Sequence, residues 1–265
     1  IRQGLALFNY LQRLQGMAGN PVVQYFYDPL TRTIGTTTAT ANGLLSGQGS
    51  LSVTGHSLGG HLAMMMSRLA PGMVNAVYTY NAPGFDTTLR TNLFPLTSEG
   101  FFSLLRNAPI GPTTGAIGTA WNSSIMTHWN VQGDVVHDIG DTPGSQGIIF
   151  SENANQGVVD AHDIKANTDA LAIYDLFAKI DPALNTDPTV GISKISTLLE
   201  AASNKPALSL EAGLDALRKL FKDPAVLNPA LTAPDNREQL YQNLYETGFQ
   251  GRIASYTNQL SFVSL

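Results

Sequence analysis

The sequence predicts an α/β fold: a mostly parallel sheet with flanking helices, followed by a helical C-terminal region. Three observations predict it. "LSVTG" (51–55), "LGGHLAMMMSRLA" (58–70) and "NAVYTYNAPG" (75–84) read as short apolar strand, helix and second strand, in the order and lengths of a crossover between parallel strands. "DIKANTDALAIYDLFAKI" (163–180) puts Leu171, Tyr174, Phe177 and Ile180 on one helical stripe. Beyond Pro182 and Pro188 the patterns are helical only, so those prolines mark the expected boundary between residues 1–182 and residues 183–265. A chain of 265 residues that is 43% apolar can bury a sizeable core.

Taken in order, residues 3–15 place Leu7, Phe8, Leu11 and Leu14 at helical spacing. "VVQYFY" alternates as a short strand does, and the Thr/Gly-rich stretch 31–50 reads as irregular surface loop. Pro71 and Gly72 stop the helix that starts at Leu58. Residues 85–120 carry apolar pieces, "NLFPL" and "GFFSLL", among Gly and Pro, and a loop this long is expected either to act as a lid or to pack beside the sheet. "SIMTHWNVQGD" (124–134) returns to strand and stops at an acid, and "GIIF" (147–150) is a further short strand. In the tail, "SLEAGLDALRKLF" is amphipathic, and Asp235 with Glu238 has capping-box spacing before "LYQNLYETG", a helix expected to stop at Gly248.

Composition excludes several classes of function. A formal net charge of −5 with only 13% charged residues leaves no basic stripe for phosphates, so nucleic acid is not an expected partner. Without cysteine, disulfides, thiolate zinc sites and a cysteine nucleophile are ruled out. Few lysines beside many Thr, Ser, Asn and Gly suggest a secreted bacterial protein. No apolar run reaches the roughly 20 residues that cross a bilayer. The N-terminal "IRQGLALFNY" reads like a cut edge, which implies an upstream segment or flanking domains of a larger protein.

The chemistry concentrates at Gly55-His56-Ser57-Leu58-Gly59, which fits G-x-S-x-G, a serine on a strained turn between strand and helix. The glycines let strand and helix backbones approach, and a side chain at either flank is expected to collide. The N–H of Leu58, at the head of the helix, then points where an oxyanion would form. A serine nucleophile needs a base and an orienting acid. Of five histidines, His56 suits packing or the pocket wall, His61 a core or supporting role, and His128 a satisfied buried strand position. That leaves His137 in "GDVVHDIG" and His162 in "VVDAHDI". The chain order serine, acid, histidine, with acid and histidine on separate loops, favours Asp134 and His162, while Asp138, Asp141 and Asp160 remain rival carboxylates.

"VTGHSLGGHLA", "VYTYNAPG" and "NVQGDVV" resemble the elbow, the following strand and turn, and the acid-bearing strand of the class 3 lipases, a family of α/β-hydrolases. The likeness covers roughly residues 1–180 and is most specific at the elbow. Within the family it is nearest to lipase domains of large secreted bacterial proteins of the calcium-repeat type. The resemblance implies a serine ester hydrolase acting on lipids, a triacylglycerol lipase or phospholipase A, with Ser57 as nucleophile, Asp134 as acid, His162 as base and Leu58 N–H as one oxyanion donor. It also implies a second donor from a strand upstream of residue 3. No cofactor or metal is needed for that chemistry, and Asp134, Asp138 and Asp141 do not have EF-hand spacing. His56, Tyr80, Pro83, Phe101 and Phe102 are the expected substrate-binding residues, suited to a lipid or acyl-ester substrate and to transient contact with a lipid surface. The alternative is a non-catalytic or impaired hydrolase-fold module serving binding or structure in a larger secreted protein.

Overall fold

The computed structural model describes residues 2–85, 97–108, 117–150, 158–187, 190–196, 245 and 247–259. Contacts divide the chain into two compact units, Ile1–Trp129 with Val135–Ser145, and Asn130–Asp134 with Gln146–Leu265. The boundary expected near Pro182 therefore falls inside the second unit.

Helix α1 (Arg2–Gln15) buries Leu5, Phe8 and Leu11, one residue per turn, against the hairpin that follows. That hairpin pairs β1 (Pro21–Asp28) with β2 (Thr33–Thr40) antiparallel, from Pro21↔Thr40 to Asp28↔Thr33. The irregular loop expected over 31–50 is thus corrected in its first half. Asp28 fixes the turn by accepting from Leu30 N–H (2.8 Å) and Thr31 Oγ1 (2.9 Å), and the threonines beyond it are β-branched residues that suit a half-exposed strand.

The central sheet has the order β3-β4-β5-β6, with β3 (Leu51–His56), β4 (Val74–Tyr80), β5 (Met126–Val131) and β6 (Ser145–Ile149). β3 pairs with β4 and β4 with β5, both parallel. A mostly parallel sheet with flanking helices is therefore present. Helix α2 (Leu58–Leu69) joins β3 to β4 and buries Gly60, Ala63 and Met64. The register aligns His56, Tyr80 and Trp129 in one row at the C-terminal edge of the three parallel strands.

Within the long segment 85–120 lies a helix, α3 (Ser98–Arg106), capped by Thr97, whose hydroxyl accepts from Gly100 N–H at 3.0 Å. It is pinned from behind by Arg68, at the far end of α2. That guanidinium, 2% exposed, donates to Glu99 (2.7 Å) and to the carbonyls of Gly118 and Thr119, and lies 4.0 Å from the centre of the Phe102 ring. Glu99 also accepts from Arg106 at 2.7 Å. Leu93 and Phe94, with the rest of the expected lid over 86–96 and 109–116, lie outside the described residues.

In the second unit, α4 (Val158–His162) leads directly into α5 (Ile164–Ile180). His162 therefore ends a short helix, where the sequence suggested a loop. α5 buries Ile173, Tyr174, Leu176, Phe177 and Ile180, and Tyr174 donates to Leu184 O (2.8 Å) in the 3-10 turn Pro182–Asn185. Helix α6 (Thr247–Ser255) packs on α5, and beyond it Asn258 N–H bonds Ile180 O at 2.9 Å. Gly248 lies inside α6, not at a helix stop; it occupies the first turn, whose N–H groups have no intrahelical partner in any helix. "SLEAGLDALRKLF" and the Asp235/Glu238 cap lie outside the described residues.

Candidate active site

Ser57 sits between the end of β3 and the first residue of α2, with φ 54° and ψ −127°. Among the described residues only four non-glycine positions have positive φ, and for a β-carbon-bearing residue such a conformation is costly. Three backbone hydrogen bonds help hold it. Ser57 N–H bonds Tyr80 O on β4 at 2.9 Å, and Ser57 O accepts from Gly60 and His61 N–H at 2.9 and 3.2 Å.

Glycine makes the approach of strand and helix feasible, though at positions other than those expected. A Cβ on Gly55 would run into the backbone of Gly59 and Gly60, and one on Gly60 would sit 2.6 Å from Ala82 Cβ and 2.8 Å from Gly55 O. At Gly59 a Cβ would meet nothing within 4 Å. The collision expected at both flanks is thus corrected: Gly55 and Gly60 are the obligatory pair, while Gly59 keeps the surface beside Ser57 open. The adjacent glycines of "LGG" were the signal for Gly60.

Around this turn His56 and Ser57 are half-buried and Leu58 is 43% exposed. Leu58 and Gly59 head the helix, where N–H groups have no preceding carbonyl within the helix to bond. Tyr80 ends β4 half-buried; burial pushes its hydroxyl above the usual tyrosine range, partly offset by a hydrogen bond with Thr54. Pro83, also half-buried, follows in the turn after β4.

Phe101 and Phe102 are elsewhere. They lie in α3, 4% and 0% exposed, in the core of the first unit. Phe102 stacks under Arg68, eleven residues along α2 from Ser57, about 16 Å at 1.5 Å per residue. Their apolar spacing serves packing in the core of that unit.

The second unit brings an acid and a histidine of its own together. β5 passes through a turn, Asp134 N–H bonding Val131 O at 3.1 Å, and leaves the Asp134 carboxylate buried. His162 Nδ1 lies 3.1 Å from Asp134 Oδ1, with the His162 side chain 24% exposed. A carboxylate only accepts, so Nδ1 carries the proton, and in the neutral ring Nε2 becomes the acceptor. His137 in contrast contacts Asp138, Nε2 to Oδ1 at 3.3 Å, beside a largely exposed carboxylate.

His128 is fully buried between Thr79 Oγ1 and Pro143 O, each at 2.7 Å. Burial holds its pKa below the ordinary histidine value, against the opposing pull of the Pro143 carbonyl. Asp141 is engaged through its backbone with Phe85. Among the described residues no three His, Asp or Glu side chains converge as metal ligands, and no described helix is long and apolar enough to cross a membrane. No protein-family model matches this chain, and no curated protein matches it.

Proposed function

We propose that the chain is a serine ester hydrolase acting on lipids, a triacylglycerol lipase or phospholipase A, with an α/β-hydrolase fold. The observation that carries the proposal is the backbone of Ser57: a non-glycine residue at φ 54° between β3 and α2, on a turn that only Gly55 and Gly60 allow. A turn that served connection alone would be relieved by glycine at position 57. Strain kept at a hydroxyl is strain kept for that hydroxyl.

Ser57 Oγ attacks the ester carbonyl, His162 Nε2 takes its proton and returns it to the leaving alcohol, and water releases the acyl group by the same route. Asp134, buried and bonded to Nδ1, supports that tautomer and stabilises the imidazolium. Leu58 N–H serves as an oxyanion donor, and removing one such donor costs about 2.7–4 kcal/mol. His56, Tyr80 and Pro83 border the acyl site, and the exposed Leu58 side chain favours an apolar acyl chain over a small polar ester. The composition supports a secreted bacterial protein.

The test is hydrolysis of chromogenic acyl esters of increasing chain length by the chain and by Ser57→Ala. Activity should rise with chain length and fall by about 10⁶-fold in the variant. Equal hydrolysis by both proteins overturns the assignment.

A further inference from the structure

One residue beside the elbow has a polar side chain where packing alone would accept an apolar one. His61 lies one turn into α2, its N–H bonded to Ser57 O, and it is 8% exposed. Its Nδ1 is 3.2 Å from Pro83 O and 3.1 Å from Gly84 O. Carbonyls only accept, so Nδ1 carries a proton that is shared between the two. The ring also packs 4.2 Å from the Phe85 ring, centre to centre. His61 thus touches three consecutive residues of the turn after β4.

That turn is itself a junction. Gly84 N–H donates to Ile139 O at 2.6 Å, and Phe85 and Asp141 exchange backbone hydrogen bonds of 2.9 and 3.0 Å. The fit leaves no room for adjustment: a Cβ on Gly84 would lie 2.5 Å from Asp141 backbone atoms, and one on Gly140 2.7 Å from Phe85 O. Contacts therefore run from the first turn of α2, through His61, to residues 83–85 and on to residues 139–141. The segment that ends there leaves Asp134 in the chain. Burying an imidazole is costly unless its hydrogen bonds are made, and the two that Nδ1 shares run to one turn.

We infer that His61 is a positioning residue: its Nδ1–H fixes the 83–85 turn, and through it residues 139–141, against the strained Ser57 turn. The consequence for catalysis rests on Ser57 being the nucleophile. The bolt itself does not.

The experiment compares His61→Phe, which keeps a ring against Phe85 and removes the donor, with His61→Asn, whose amide restores a donor near the Nδ1 position. Two readouts separate the claims. Amide hydrogen exchange should speed up at Gly84, Phe85 and Asp141 in His61→Phe, stay unchanged in β1 and β2, and return towards the parent rate in His61→Asn. In parallel, kcat on an acyl ester should fall by about 100-fold in His61→Phe with little change in KM, since small misplacements near a reacting centre cost about that much, and His61→Asn should recover most of it. Unchanged exchange in His61→Phe overturns the bolt. Faster exchange with unchanged kcat overturns its positioning role, and failure of His61→Asn to restore either overturns the hydrogen bond as its basis. Should His61→Phe lose cooperative unfolding, His61→Leu supplies the same comparison. Absence of ester hydrolysis in the parent chain would fall on Ser57 as nucleophile, and exchange alone would then decide the bolt.

Discussion

The two ends of helix α2 are built by opposite means. At its start the chain has removed side chains: Gly55 and Gly60 bring backbones together and Ser57 is left strained and half-exposed. At its end the chain has added them: Arg68 is buried among Glu99, two carbonyls and the Phe102 and Trp121 rings. One helix thus separates a strained turn from a place that supplies stability.

The largest effect on stability should come from the second end. Arg68→Ala takes the charged donor from the Thr119 carbonyl, leaves Gly118 O to Arg106 alone and opens space under Phe102 and Trp121; it should cost about 3 kcal/mol by urea unfolding. Ester hydrolysis per folded molecule should hardly change, and a parallel loss of kcat would break the distinction between the ends. Next comes Gly55→Ala, which forces a Cβ into the backbone of Gly59 and Gly60. Overpacking of this kind costs about 1–3 kcal/mol, and because it moves the turn itself, activity should fall with stability.

Ser57→Gly should do the reverse on stability. Glycine relieves the positive φ, so the chemical midpoint should rise by about 1 kcal/mol in stability while hydrolysis is lost. A destabilised Ser57→Gly protein would mean the turn holds no strain. The smallest effect is the order in which the ends weaken with acid. His128 supports Thr79, which lies under Gly60. Its folded pKa lies below the ordinary value of 6.5, so its contribution is whole above pH 6.5 and declines below it, as the unfolded chain takes up a proton that the folded chain resists. Glu99 is held below its ordinary 4.5 by Arg106 and Arg68, so its contribution is present above pH 4.5 and is lost only as pH falls through its lower folded value. Stability measured against pH should therefore begin to decline below 6.5, and His128→Asn should remove that first step alone.

The central fold was legible because its signals are local. "LSVTG", the α2 run and "VYTY" carry their own periodicity, and so does α5. β2 was not, because its threonines and glycine resemble loop composition and only pairing with β1 reveals the strand. Arg68 and Glu99 are 31 residues apart, a separation at which no sequence spacing speaks. Phe101 and Phe102 show the same limit, since an apolar pair reads alike whether it faces a ligand or a core. For the candidate site, chain order named Asp134 and His162 together, and they lie 3.1 Å apart; that distance is a fact of the fold, while their role is the proposal above. His61 was legible as a supporting histidine, but its target was not, because the two carbonyls it bonds lie 22 and 23 residues away.

The antiparallel bridge between Phe85 and Asp141 also sets a schedule. On a ribosome adding about 5–20 residues per second, the 56 residues from Phe85 to Asp141 take about 3–11 s to appear. For most of that interval β5 does not yet exist, and β4 stands as an open sheet edge, the kind of surface that pairs with other chains. The tight junction that Gly84 and Gly140 permit between these two segments at the end of this wait is thus a late lock on a nascent sheet, and slowing or speeding translation between those points should change how much of the protein aggregates before it closes.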